Sequence, residues 1–517
     1  MRRVGSALFL ITILLFNSVF SGQADAVEKE ERKWQDETIY FLMVDRFNNG
    51  DSSNDITVNT QDPRAYHGGD FQGIINELDY IKDMGFTAIW LTPIFENQEM
   101  GYHGYWIEDF YETEEHFGTV EEFKQLVDEA HERDIKVILD FVVNHTAPTH
   151  EWVNDPERED WYHPEQPIRD NNDPEQLENG WIYGLPDLNT ENQEVREYLF
   201  DAAKWWIEET NIDGYRLDTV KHVPAEFWTE FSQEVKSVKD DFYLIGEVYD
   251  TDIRKIAEYA DTGIDGFVDF PLAEQMRTVF QNTDQNTSRL FNYWDYNQQF
   301  FNDPYVMGTF IDNHDMTRFT RLASENNMFP GTRWEMATAF MYTVPGIPII
   351  YYGSEIALDG GEDPDNRRLM DLNVDEELQE YIGNLGELRQ QLPSLTRGTL
   401  EVLYNDNGML VYEREYEDET TVIAINNTSE TQSVDLATAD YQDSSELRGL
   451  LGGDLVRAEN DQFRITLDRE VAEIYVVADE TGINYWFVAA IAAVWIFFIG
   501  LFIFMRKKGK KKESMAS

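Results

Sequence analysis

A large (β/α)₈ TIM barrel followed by a small antiparallel β-sandwich is the fold class predicted for this 517-residue chain. Three observations predict it. From Thr38 onward, short β-branched runs alternate with amphipathic segments, the pattern of repeated βα units. Polar residues cluster just after the runs, where a barrel of parallel strands presents its site. After Pro393 the helical pattern stops and only strand-like alternation remains.

The eight runs are Ile39–Val44, Thr87–Leu91, Lys136–Val142, Gly214–Leu217, Phe242–Gly246, Gly266–Phe270, Gly308–Ile311 and Ile347–Tyr351. Amphipathic stretches such as Gly73–Met84, Val120–Arg133 and Asn192–Glu209 separate them. These elements place the barrel at residues 34–393. The interval after the third run is too long for a loop and rich in Pro, Asn, Asp and Trp, so residues 144–190 read as an inserted domain. Residues 394–479 are expected to form the sandwich, with strands at Leu400–Val411, Thr421–Ile425 and Ile474–Val477.

Both ends carry further signals. Arg2 and Arg3 precede the apolar run Val4–Phe16, and Ala24-Asp25-Ala26 offers a small-residue cleavage site. Residues 1–26 therefore read as an export signal. Tyr485–Met505 contains no charge and is long enough to cross ~30 Å of hydrocarbon as a helix. Arg506, Lys507, Lys508, Lys510, Lys511 and Lys512 follow. The expectation is one C-terminal transmembrane helix over 485–505 and a basic cytoplasmic tail over 506–517, anchoring an exported domain at the cell surface.

A formal net charge of −58 excludes a phosphate-binding surface, so no nucleic-acid partner is expected. Cysteine is absent, which removes disulfides, thiolate metal sites and cysteine nucleophiles. A monomer is expected.

The chemistry centres on Asp213–His222, DGYRLDTVKH. Its strand ends on Asp218. Arg216, two residues earlier, points the same way by the strand period. A fixed guanidinium keeps a neighbouring carboxylate ionised, as a covalent glycosyl-transfer nucleophile requires.

Four further motifs stand with it in order: DFVVNH (Asp140–His145), LPDLN (Leu185–Asn189), GEVY (Gly246–Tyr249) and FIDNHD (Phe310–Asp315). Together with GYRLDTVKH they make the chain similar to the α-amylase family of glycoside hydrolases (family 13) over about Trp34–Asp479. LPDLN with the tandem Trp205-Trp206 resembles a group of bacterial α-amylases, although the two rings themselves read as helix-to-barrel packing.

The strand positions make Asp218 and Glu247 neighbours, nucleophile and general acid/base respectively. Apolar surroundings and nearby negative charge would raise the Glu247 pKa. The resemblance makes Asp315 the third carboxylate, which grips sugar hydroxyls. It also implies substrate contacts from His103, Tyr105, Trp106, His145, Arg216, Lys221, His222 and His314, and from Asp363 and Arg367 at the far end of the bound sugars.

Two structural Ca²⁺ sites are implied as well. One would use Asn144, Asp187, the His222 carbonyl and a carbonyl near Glu178. The other would use Asn49, Asp51, Asn54, Asp55, Asp70 and the Gly68 carbonyl.

The function expected from this is a retaining α-1,4-glucan hydrolase acting on starch-like polymers. A maltogenic or transglycosylating enzyme is a second reading, and the missing extra sandwich domains weigh against a ring-forming transferase. A non-catalytic, membrane-tethered barrel is a third, opposed by the intact acidic trio.

Overall fold

The computed structural model describes residues 32–374, 377–438, 441 and 445–479. Eight parallel strands form one sheet: β1 (Ile39–Leu42), β2 (Ala88–Leu91), β3 (Lys136–Phe141), β4 (Gly214–Leu217), β5 (Tyr243–Gly246), β6 (Gly266–Phe267), β7 (Gly308–Phe310) and β8 (Ile347–Tyr351). From β1 to β6 each pairs with the next in sequence, β7 pairs with β8, and β8 pairs with β1. A parallel bridge between Val268 and Gly308 joins β6 to β7 and closes the ring. Nearly every strand residue is buried, because helices cover the outside and side chains fill the inside.

The helices are bounded by local chemistry. Thr119 and Glu122 form a reciprocal capping box at the start of Val120–His131. Asn192 caps Gln193–Thr210, and Asn211 ends that helix in the left-handed conformation at φ 58°. Within that helix Trp206 is fully buried. Its indole N–H donates to the Phe110 carbonyl at 2.7 Å, and its ring packs edge-on against Phe95 and Phe123. Trp205 is half-buried against Tyr111.

Between β3 and the helix Gln193–Thr210 the chain makes only short helical turns and one short helix, Pro174–Asn179. Trp152, Trp161 and Tyr198 form its aromatic anchor on the barrel wall. Beyond Pro393, an antiparallel six-stranded sheet and a two-stranded sheet (Gln432–Ala437 with Gln462–Leu467) enclose a second apolar core around Phe463, Ile465 and Tyr475. Buried Arg333 and Arg414 tie this unit to the barrel through Asn427, Glu470 and the Thr343 carbonyl.

The membrane expectation is corrected. No helix among the described residues is long and apolar enough to cross a membrane. The longest, Gln193–Thr210, has 18 residues and carries Glu194, Arg196, Glu197, Asp201, Lys204, Glu208 and Glu209 along its length. The stretch 485–505, the tail 506–517 and the export signal 1–26 lie outside the described residues. Among the described residues the fold is therefore a barrel with a C-terminal antiparallel unit, none of whose helices is a transmembrane element, and the expected membrane-anchored location is withdrawn on that finding.

Trp206→Ala should cost about 3–5 kcal/mol, the usual range for removing a buried Trp. Trp205→Ala should cost about 1 kcal/mol, since only part of its ring is buried. Urea unfolding of the two variants checks the ranking.

Candidate active site

The strand register brings the site together. Asp140 on β3 lies opposite Arg216 on β4, and Leu217 on β4 lies opposite Gly246 on β5. The next residues, Asp218 and Glu247, emerge side by side at the rim. Their backbone N–H groups still donate back into the sheet, to Phe141 at 3.2 Å and Leu217 at 2.9 Å. Thr219 then turns sharply through a left-handed backbone at φ 47°, uncommon for a β-branched residue.

One guanidinium joins three acids. Arg216 Nη1 donates to Asp218 Oδ1 at 2.7 Å and to both Asp140 oxygens at 2.8 and 2.9 Å. Its Nη2 lies 2.5 Å from Glu247 Oε1. Asp140 also accepts from the Tyr105 hydroxyl at 2.7 Å. Burial pushes Glu247 up to about 8. The charges of Asp218, Asp315 and Asp140 add to this rise and Arg216 opposes it. Burial likewise pushes Asp140 up to about 7, against the pull of Arg216.

Asp315 stands across the cleft with 38% of its side chain exposed. Burial would raise its pKa, but His314, Arg367 and Arg216 outweigh that and hold it below the usual carboxylate value. Arg367 reaches Asp315 Oδ1 at 3.2 Å, Asp363 Oδ1 at 3.2 Å and the His314 carbonyl at 2.9 Å. Burial lowers the His314 imidazole to about 4, so it is neutral, and it stacks on Tyr105 with ring centroids 5.2 Å apart. His145 Nε2 faces the Tyr105 carbonyl at 3.2 Å, and His103 packs edge-on against Trp106.

Two of the expected substrate contacts are engaged with neighbouring backbone. Lys221 Nζ donates to the Tyr249 carbonyl at 2.6 Å, bracing the segment after Glu247. The His222 ring contacts the Leu177 carbonyl at 3.0 Å, on the inserted segment.

Aromatic residues absent from the sequence assignments line the mouth. Tyr249 is 48% exposed and Tyr183 97% exposed. Burial raises the Tyr249 pKa, and the charges of Asp315 and Glu247 add to the rise. The signal for Tyr249 was its place two residues after Glu247. Tyr183 had none beyond its aromatic type.

The first candidate cation site is formed by the same inserted segment. One terminal atom of the Asn144 amide lies 3.3 Å from Asp187 Oδ1 and 3.0 Å from the His222 carbonyl oxygen. With nitrogen in that position it donates to both. With oxygen there, three oxygens converge, an arrangement that only a cation stabilises. The donor set is hard oxygen, so the residues fit calcium. Glu178 lies on the adjoining short helix, where its neighbour Leu177 is the residue that contacts His222.

In the second cluster Asn49 donates to Asp55 at 2.7 Å, and a Cβ on Gly68 would come within 2.7 Å of both side chains. The Asn54 side-chain oxygen is buried without a hydrogen-bond partner. Asp70 is partly committed, accepting from Gly50, Asp51 and Gly73 N–H groups, and Asp51 accepts from Ser53. An orphaned acceptor beside carboxylates also fits a hard cation. Among the described residues no three His, Cys, Asp or Glu side chains group as a metal site, so the three aspartates expected in the second set, Asp51, Asp55 and Asp70, are not gathered into one.

The chain matches the alpha amylase catalytic domain over residues 41–397 and the alpha-amylase C-terminal domain over 398–475. It is 37% identical over 459 residues to a beta/alpha-amylase of Paenibacillus polymyxa, covering 86% of this chain and 38% of that longer protein. It is 33% identical to alpha-amylase 2 of Schwanniomyces occidentalis, over 84% of this chain and 88% of that one. Among solved structures, an Anoxybacillus alpha-amylase is 61% identical with a TM-score of 0.87, covering 88% of this chain and 100% of that one. An alpha-amylase from Geobacillus thermoleovorans, solved with acarbose, is 57% identical with a TM-score of 0.85, over 87% and 100%. A cyclomaltodextrin glucanotransferase with a three-domain arrangement is 33% identical with a TM-score of 0.77, over 85% and 99%. Missing sandwich domains therefore do not separate hydrolases from ring-forming transferases. With both domain matches together running from residue 41 to 475, the chain belongs to the α-amylase family and is an α-amylase-type glycoside hydrolase.

Proposed function

We propose that this enzyme hydrolyses α-1,4-glucans of the starch type with retention, through a covalent glycosyl intermediate on Asp218. The observation that carries this reading is the sharing of Arg216 by Asp218 and Glu247. Two carboxylates on one guanidinium are close neighbours, as a retaining mechanism needs at about 5–5.5 Å, and leave no room for a water between them. One cation cannot neutralise three acids, so the group most raised by burial keeps its proton. Glu247 is that group and donates to the leaving oxygen. Asp218, bonded to Arg216, attacks the anomeric carbon. Glu247, now ionised, takes a proton from water, which then releases the sugar from Asp218.

Tyr105, stacked on His314, offers a flat wall for the reacting pyranose. Asp315 and Arg367 supply an acceptor and donors for its hydroxyls. Asn144, Asp187 and the His222 carbonyl would hold a calcium ion that pins the inserted segment. Asn49, Asn54, Asp55 and the Gly68 carbonyl would hold a second, with Asp51 and Asp70 alongside. Calcium supplies cross-linking there and no step of the reaction.

Transfer to a sugar hydroxyl is a second reading, favoured by the exposed Tyr183 and Tyr249 rings at the mouth. Such rings bind a second sugar that competes with water.

NMR of freshly released products should show the α-anomer first, and a β-anomer appearing first would exclude the double displacement. Asp218→Asn should lower kcat by several orders of magnitude while the fold survives, read by single-turnover assay and circular dichroism. The value of kcat/KM should fall as pH rises through about 8, where Glu247 loses the proton it must donate. EDTA should lower Tm and added Ca²⁺ restore it, since an ion bound only to the folded state at a hundred times its Kd adds ~2.7 kcal/mol. A Tm that ignores both treatments would remove the calcium assignment.

A further inference from the structure

Arg46 is fully buried at the end of β1 and belongs to no site residue set above. Its Nε donates to Asp45 at 2.6 Å, and Asp45 in turn accepts from the His67 and Gly68 N–H groups at 2.8 and 3.1 Å. Its two terminal nitrogens donate to three distant carbonyls: Arg367 at 3.2 Å, Pro63 at 3.1 Å and Ala65 at 2.8 Å. The guanidinium lies 3.8 Å from the centre of the Tyr102 ring. The Arg46 carbonyl also accepts from Met370 N–H at 2.8 Å, three residues past Arg367.

Three segments thus meet on one side chain: loop 62–68, the Tyr102–His103 turn, and the 363–370 segment that carries Arg367. Arg367 is the residue that reaches Asp315 and Asp363. A planar guanidinium satisfies several fixed acceptors at set angles, which an ammonium on a flexible stem cannot reproduce.

We propose that Arg46, oriented by Asp45, is a positioning residue for the donor end of the cleft. It fixes the backbone from which Arg367 grips substrate and aims Asp315, and it holds the Tyr102 ring in the same register. This rests on the assignment of Arg367 and Asp315 to substrate. Arg46 touches neither substrate nor the reacting carboxylates, so its loss acts through Arg367 on sugar binding more than on the chemical step.

The test uses the full-length chain with Arg46→Lys, Arg367→Lys and the double variant. Binding of maltoheptaose is measured by calorimetry in an Asp218→Asn background, and KM and kcat are measured in the active background. Arg46→Lys should weaken binding about tenfold and raise KM by more than it lowers kcat, a loss of substrate grip rather than of chemistry. The double variant should bind about as weakly as Arg367→Lys alone, because both changes break one connection. Additive losses would overturn the proposal, as would unchanged binding in a folded Arg46→Lys protein. If Arg46→Lys fails to fold, Tyr102→Leu replaces it, since it removes the ring that Arg46 orders and leaves the carbonyl bonds. The same non-additivity with Arg367→Lys is expected, and additivity again overturns the assignment. If maltoheptaose binding is indifferent to Arg367→Lys itself, the parent assignment of Arg367 has failed and Arg46 has nothing to position.

Discussion

The catalytic end of this molecule depends on one buried cation. Arg216 is 1% exposed, and its guanidinium is shared by Asp140, Asp218 and Glu247. An isolated charge at that depth would be prohibitively costly, so the acids are required by the arginine as much as the reverse. The stoichiometry then matters. Three carboxylates around one positive charge leave an excess that only a proton relieves. The excess is relieved unevenly, because Glu247 and Asp140 are pushed up while Arg216 bonds Asp218 at 2.7 Å. Glu247, the proposed acid, and Asp218, the proposed nucleophile, thus differ by environment, although they share a partner.

The barrel supplies the positions at little conformational cost. Because β3, β4 and β5 run parallel in fixed register, residues one step beyond each strand are neighbours without any loop having to fold toward the others. Asp315, on the loop after β7, needs a second support. It gets one from Arg367 and from the stacked pair His314–Tyr105. The loop-borne half of the cleft is therefore held by side-chain networks, and the strand-borne half by the backbone ladder.

That division explains what was legible in the sequence. All eight barrel strands were readable, since each is a short apolar run bounded by polar residues. Several ended one to three residues early, the most at Phe267, where β6 pairs for only two residues. The strand-end acids Asp218 and Glu247 and the histidines in motifs could be placed because strand position dictates direction. Strand period says nothing one turn later. Lys221 and His222 follow the left-handed Thr219, and their side chains contact the Tyr249 and Leu177 carbonyls. Tyr183 and Arg46 gave no signal, because their roles come from contacts between segments far apart in sequence. The membrane helix was read from a long uncharged run and the basic block after it, signals that specify no tertiary partner, and the described helices contain no such element. The size argument against ring-forming relatives failed for a different reason: domain count is a property of the ends, whereas chemistry resides at the rim.

Hydrolysis and transfer differ only in what occupies the space beside Glu247 when the first product leaves. The protein covers that side with the inserted segment and with Tyr249, whose carbonyl is fixed by Lys221 while its ring stays 48% exposed. The backbone there is rigid and the ring is open. A fixed open ring stacks on a sugar with little entropic cost, and an arriving sugar displaces the water that would otherwise attack. Tyr183, 97% exposed in a left-handed turn at φ 51°, stands on the inserted segment that Asn144, Asp187 and the His222 carbonyl attach to the barrel. The attachment of that segment therefore sets where the second ring stands. If transfer competes with hydrolysis here, the segment's anchorage bears on the balance between water and sugar, because the acids proposed to perform the chemistry are common to both outcomes.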